Sequence, residues 1–269
     1  MVYEKFQPAA ALRPYVMCYY MLEHSQYLHL PIELYSPPLG LGGMVFNYGD
    51  PYWIVDENNE RTQAPPQFLA GQFKKNYTLR LRGEVGMIGI AFWPAALSHL
   101  LGIPMIEFTE QRIDLSLVLG LEADVLRQQL LVCKTHEQRI QMLEHFLAQK
   151  LVKAAPTTDL VDCAIQTIFQ QKGIVSIRQL SDDLCISPRQ FRRRFTEKVG
   201  IAPKLFARIK RFNYISQLST TSFDTWMEMV DQGGYYDQSH FIRDFCDFSG
   251  RNPSEFVNYH RTLVELMES

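Results

Sequence analysis

The chain has 269 residues, 46% of them hydrophobic, enough to bury real cores, most readily in two domains. Its formal net charge is −2, which excludes a protein that coats nucleic acid non-specifically. Any contact with a polyanion must be a local basic patch. No run of about 18 apolar residues occurs and the N-terminus MVYEKFQPAA has no apolar secretory core, so a cytoplasmic protein without a membrane partner is expected.

The five cysteines (Cys18, Cys133, Cys163, Cys185, Cys246) are scattered and form no C-x-x-C. Neither a zinc knuckle nor a disulfide framework is indicated, and each is read as a small buried or semi-exposed apolar residue.

Up to about residue 110 the pattern is that of strands. GGMVFNYGDP (42–51) reads as a strand ending in a Gly-Asp-Pro turn. YTLRLRG (77–83) alternates strictly, with Tyr77, Leu79 and Leu81 on one face and Thr78, Arg80 and Arg82 on the other. GMIGIAFW (86–93) is continuously apolar, as in a strand covered on both faces. From about residue 121 to 151 the period becomes helical, and Ile140, Leu143, Leu147 and Leu151 form one apolar stripe. That stripe fits either packing within its own domain or a dimer seam.

VKAAPTTD (152–159) interrupts the helical pattern and divides the chain into residues 1–152 and 157–269. Beyond it seven short-linked helices are predicted. Ser176, Ser187, Ser222 and Asp237 stand at N-cap positions, Pro188 at a first helical position, and Gly200 and Gly233-Gly234 at helix ends. The fold class is therefore α+β: a β-rich N-terminal domain with C-terminal helices, followed by an all-α domain.

The all-α part repeats itself. SPRQFRRRFTEKVGIAPKLF (187–206) and DQSHFIRDFCDFSGRNPSEF (237–256) share F-x-R-x-F-x4-G-x2-P-x2-F at an offset of 50 residues. Phe191 matches Phe241, Arg193 matches Arg243, Phe195 matches Phe245, Gly200 matches Gly250, Pro203 matches Pro253 and Phe206 matches Phe256. In each copy the phenylalanines at i and i+4 anchor one helix face, leaving the opposite face to Arg189, Arg192, Arg193 and Thr196 in the first. A short helix and a tight turn, Leu184-Cys185-Ile186-Ser187, precede it. This is a helix-turn-helix layout, whose second helix can lie in the major groove. The segment from 203 to 219 joins the copies and spans about 25 Å as a helix.

Through LSDDLCISPRQFRRRF, VGIAPKLFARIKRF and GYYDQSHFIRDF followed by G-x-x-P, the C-terminal residues resemble the AraC/XylS family of bacterial transcription regulators. The resemblance implies two helix-turn-helix subdomains, double-stranded promoter DNA as partner, and an N-terminal domain that senses or dimerises. It implies DNA contacts by Arg189, Arg192 and Arg193 in the first recognition helix, and places Gln238, Ser239, Ile242 and Arg243 at the corresponding positions of the second. A small-molecule effector, RNA polymerase and a second copy of the chain are the further partners it leaves open. No cofactor is implied. The N-terminal part, through FNYGDP, GIAFWPAALSHLLGIP and EQRIQMLEHFL, resembles a poorly described type of domain found beside such modules.

The charges of the two copies differ. Residues 173–211 hold ten Lys/Arg against three acids, whereas 212–269 hold three against nine. The first copy is expected to anchor DNA and the second to add sequence preference. Asp244, matched to Arg194, is expected to pair with Arg243 or Arg251, while Asp247 stands where the family often has a phosphate-facing cation. His240 is read as a packing or phosphate-side group, and Trp226 and Tyr235 as core residues. An enzyme is not indicated: there is no G-x-S-x-G, P-loop or G-x-G-x-x-G. His24, His29 and Glu33 lack the H-x-H pair that a metal-dependent barrel would need. A constitutive DNA-binding dimer is the alternative to an effector-controlled regulator, with Phe46, Tyr48, Trp53 and Trp93 serving either as pocket lining or as ordinary core.

Overall fold

Side chains alternate across a strand, and this divides the apolar residues of the N-terminal half between two faces of one sheet. The computed structural model describes residues 1–154, 158–219 and 226–256. Strands β1 (Val2–Phe6), β2 (Val16–Ser36), β3 (Gly42–Asn47), β4 (Trp53–Val55), β5 (Arg61–Gln63), β6 (Gln67–Ala70), β7 (Tyr77–Phe92) and β8 (Arg112–Asp114) form one sheet. Its order is β1-β2-β7-β3-β6-β8, with β4 pairing β5 and β7, and all pairs are antiparallel.

Met44, Phe46, Leu69, Ile88, Ile90 and Phe92 face a core closed by helices α1 (Ala96–Leu101), α2 (Leu115–Leu119), α3 (Leu121–Val132) and α4 (His136–Ala154). Their strand neighbours Val45, Phe68, Val85 and Met87 face a second core with Leu22, Leu34, Tyr52 and Ile54. The continuous apolar run 86–93 is explained by this two-sided burial. YTLRLRG is the other half of β7: Leu81 is buried in the second core, Tyr77 and Leu79 pack against it, and Arg82 is exposed.

Leu143 and Leu147 are buried in the first core, with Ile140 and Leu151 packed against it. The stripe on α4 is therefore an inward face, and the dimer-seam alternative is corrected.

Six helices follow: α5 (Leu160–Gln170), α6 (Ile177–Asp183), α7 (Pro188–Val199), α8 (Pro203–Ser219), α9 (Trp226–Gln232) and α10 (Gln238–Ser249). The backbone is again helical from Pro253 to Phe256. The expected cap at Ser222, the side chain of Trp226 and residues 257–269 lie outside the described residues, as does 155–157 of the interrupting segment. A third core gathers Val161, Ile165 and Ile168 of α5 with eight fully buried or nearly buried phenylalanines: Phe191, Phe195, Phe206, Phe212, Phe241, Phe245, Phe248 and Phe256. Tyr235 is buried among them, as expected.

The helical part packs on the sheet part. Ala95 is buried in the third core, Trp93 stands edge-on to Phe169 with ring centroids 5.4 Å apart, and His99 of α1 lies 3.0 Å from Asp162 of α5. The five cysteines are all unbonded thiols. Cys163 and Cys185 are exposed, not buried or semi-exposed; Cys185 takes a left-handed conformation (φ 53°) in the turn before α7.

Candidate nucleic-acid interface

The repeat yields two frames built alike. Ser187 Oγ accepts from the Gln190 amide at 3.3 Å, and Asp237 Oδ1 accepts from the His240 amide at 2.7 Å, so each second helix has a side-chain N-cap. An acid at the second cap also favours the positive end of the helix dipole. Gly200 (φ 98°) and Gly250 (φ 67°) close α7 and α10 in the left-handed region where glycine carries no steric penalty. Within each frame the rings repeat. Phe191 and Phe195 lie 5.7 Å apart and Phe206 lies 5.5 Å from Phe195. Phe241 and Phe245 lie 5.5 Å apart and Phe256 lies 5.0 Å from Phe245.

These anchors set the outward faces. Arg189, Arg192 and Arg193 are exposed on α7. Thr196 is half-buried, its hydroxyl donating back to the Arg192 carbonyl at 2.7 Å. On α10, Gln238, Ser239 and Arg243 are exposed, and Ile242 presents 38% of its surface. The eight sequence-derived residues are thus gathered as two groups, one on each helix. Ile106 of the 3₁₀ turn Met105–Phe108 and Pro104 at its N-cap form the opposite wall of a cleft along Arg189, Arg192, Arg193 and Thr196.

The acids of the second frame have definite partners, and they differ from those expected. Asp244 is 2% exposed and accepts from Arg208 (2.8 Å) and Arg211 (2.8 Å), both on α8. Arg243 and Arg251 are not the partners, because Asp244 faces inward toward α8 while Arg243 faces solvent. Burial acts to raise the Asp244 pKa, but the hydrogen bonds and charges of Arg208 and Arg211 outweigh it and hold the carboxyl below its usual value. Asp247 accepts from Arg208 at 2.9 Å. His240 stands edge-on to Tyr235, with ring centroids 5.3 Å apart, and its Nε2 is 3.9 Å from Asp244.

The same contacts revise the charge of the first frame. Of its ten cations, Arg208 and Arg211 are held by Asp244, Lys198 pairs with Asp159, and Lys210 is buried with its Nζ on the Leu39 carbonyl at 2.8 Å. That leaves Arg178, Arg189, Arg192, Arg193, Arg194 and Lys204, all exposed and without an ion pair among the described residues. The sequence carried no signal for these pairings: the ion-pair partners lie 33 to 39 residues apart, and Leu39 lies 171 residues from Lys210.

Residues 180–259 match the family model described as a helix-turn-helix domain, and the match spans both frames. In these residues the chain carries the DNA-binding module of AraC/XylS-type transcription regulators. It is a DNA-binding transcription regulator with a β-rich N-terminal domain ahead of two helix-turn-helix units. Residues 4–114 match a model described as a domain of unknown function, DUF6597. A comparison with curated proteins found no match.

Among solved structures the regulator is similar to ToxT from Vibrio cholerae with an unsaturated fatty acid bound, at 13% identity and a TM-score of 0.44, over 88% of this chain and 94% of ToxT. The C-terminal domain of AraT, a response regulator from Geobacillus stearothermophilus, is 19% identical with a TM-score of 0.36, over 38% of this chain and 86% of that one. The AraC-like transcriptional activator CuxR is 12% identical with a TM-score of 0.31, over 80% and 86%.

A cavity of about 560 Å³ opens between the sheet part and α5 of the regulator. Tyr15, Trp93, Phe169 and Ile165 supply apolar walls, and Arg13, Gln166 and the His99–Asp162 pair supply polar ones. Of the four aromatics considered from the sequence, Trp93 lines this cavity. Phe46 is buried core, Tyr48 donates to Glu23, and Trp53 is exposed on β4. His99, Asp159 and Asp162 also bring ligand atoms within 4.8 Å of one another. Their carboxylates are already engaged by the α5 cap and Lys198, so the group reads as an ionic link rather than a metal centre. Among the described residues no helix is long and apolar enough to cross a membrane.

Proposed function

We propose that the regulator binds promoter DNA by placing α7 and α10 in successive major grooves on one face of the duplex. Arg189, Arg192, Arg193 and Thr196 meet the first groove, and Gln238, Ser239, Ile242 and Arg243 the second. The observation that carries this reading is the doubled frame, in which cap, phenylalanine pair and C-terminal glycine present two polar faces from helices joined by α8. Arginine suits bidentate contact with guanine, and Gln238 suits adenine or a phosphate. Grooves one turn apart are about 34 Å from each other, whereas a 17-residue helix spans about 25 Å, so bending of the DNA toward the protein fits this geometry.

Residues 157–269 form the DNA-binding domain in this reading and residues 1–152 the domain that controls it. The cavity between Trp93, His99 and α5 favours an effector over constitutive binding, because a ligand there touches both domains at once. The interior of the sheet domain is filled by its own side chains, so the junction is the place for such control.

The labour is split unevenly: the first helix anchors and the second adds preference. The test is selection of bound sequences from a random duplex pool, followed by footprints with Arg193→Ala and Arg243→Ala. Enrichment of a two-part site, weakened more by Arg193→Ala, is the expected result. No enriched sequence would sink the DNA-reading proposal, and equal losses would sink the division of labour.

A further inference from the structure

The two glycines related by the repeat do more than end their helices. Gly200 and Gly250 both abut the sheet domain, at side chains that grip the helix ends. Thr109 Oγ1 donates to the Gly200 carbonyl at 2.6 Å. Asn76 Nδ2 donates to the Phe248 carbonyl at 3.4 Å, and the Tyr35 hydroxyl donates to the Ser249 carbonyl at 3.2 Å. The last carbonyls of a helix have no partner within the helix, so each bond supplies one. The positive φ at both positions favours glycine, and the approach to the sheet domain is close as well. A Cβ on Gly200 would stand 3.0 Å from the Met105 carbonyl oxygen, and one on Gly250 would stand 2.9 Å from Asn76 Nδ2.

The two grips belong to one body. The segments carrying Asn76 and Thr109 are laced together by backbone bonds from Glu110 N to Gln72 O (2.8 Å) and from Gly71 N to Gln111 O (3.2 Å). They emerge from the paired strands β6 and β8, where Ala70 stands opposite Arg112. The Arg112 guanidinium lies 4.0 Å from the Phe73 ring centroid and 4.1 Å from that of Tyr77, stacking the loop onto the edge of the sheet. The platform holds α7 and α10 by their C-terminal ends. Their capped N-terminal ends, where recognition helices meet base edges, remain exposed at Ser187, Pro188, Asp237 and Gln238.

We propose that this platform is a gauge: Thr109 and Asn76 are positioning residues that fix the separation of the two reading helices, and so the spacing of half-sites the regulator accepts. The inference rests on the DNA-reading proposal above. Without the platform α10 is tied to α8 by the Arg208 and Arg211 bonds to Asp244, whereas α7 meets α8 through the Phe195–Phe206 ring contact, with no ion pair between the two helices among the described residues.

The experiment uses the full chain and a duplex it has selected from a random pool, together with duplexes carrying one or two base pairs added or removed between the half-sites. One base pair moves a half-site by about 3.4 Å and about 34°. For the wild type, a change of one base pair is expected to weaken binding about tenfold or more. For Thr109→Val combined with Asn76→Ala, the dependence on spacing is expected to flatten to under about threefold, with weaker binding at the original spacing. Thr109→Ser, which keeps the hydroxyl, is expected to retain the steep profile. A double variant as steep as the wild type overturns the gauge, whatever its stability. Should that variant not fold, Tyr35→Phe, which removes one hydroxyl, carries the same comparison. A wild type that enriches no duplex sinks the underlying reading, whereas a steep wild type beside an equally steep variant sinks the gauge alone.

Discussion

Lys210 is the residue whose chemistry departs furthest from expectation. It looks like one more cation in a basic helix, yet it is buried, with its Nζ on the Leu39 carbonyl and its ammonium 4.1 Å from the Phe169 ring centroid. Burial lowers its pKa to about 7. Between that value and the ordinary value near 10.5 the unfolded chain holds a proton that the folded chain has shed. The unfolded state binds more protons, so this lysine makes stability rise with pH across the window, by at most about 1.4 kcal/mol per pH unit. Lys210→Met removes the titration. Urea denaturation of the wild type and this variant at pH 7, 8 and 9 should show the wild type gaining on the variant with each step. A difference independent of pH would show that Lys210 keeps its proton.

At the scale of elements, the regulator depends on how α10 is held. The carboxylate of Asp244 is shared by two arginines one turn apart on α8, and it stands where the first frame has the exposed Arg194. One sequence position thus serves two ends: a solvent-facing cation in one copy and a structural anchor in the other. Removing one partner of a buried pair leaves the other's charge uncompensated, a loss on the order of 3 kcal/mol. Asp244→Ala should therefore lower the unfolding free energy by that order, read as a lower urea midpoint. The depressed carboxyl also gives the sign of the pH effect. Its stabilisation is present above the ordinary carboxylate range and is lost as pH falls through its lowered folded value. Asp244→Asn should flatten the fall in stability below about pH 4, and an unchanged acid limb would disprove the anchor. The caps at Ser187 and Asp237, the phenylalanine pairs and the C-terminal glycines were legible in the sequence because they are local, at spacings of three, four and nine residues. Asp244's partners were not legible, since their helix lies more than thirty residues away and the local candidates, Arg243 and Arg251, were nearer in sequence. Thr109, Asn76 and His99 carried no local signal, for their roles exist only once the sheet domain has docked.

For the whole molecule, the decisive quantity is how much of its positive charge DNA can meet. Counting residues credits the first unit with ten cations, but four are engaged within the protein, by Asp244, by Asp159 or by burial, leaving six exposed ones. Affinity for DNA falls with salt in proportion to the phosphates that cations neutralise, with a slope of about −0.9 per phosphate on a log–log scale. An exposed arginine and an engaged one should therefore differ in kind. Arg192→Gln removes a free cation of α7 and should reduce the slope by about 1. Arg208→Gln should leave the slope unchanged while lowering stability, because its charge is already spent on Asp244 and Asp247. Binding isotherms on a selected duplex at four or five salt concentrations provide the comparison, with melting curves confirming that each variant is folded at the assay temperature. Equal reductions would mean that Arg208 leaves Asp244 for a phosphate when DNA binds. The two units would then not stay as they are tied here, and the sequence count of ten would describe the DNA-facing charge better than the folded one of six.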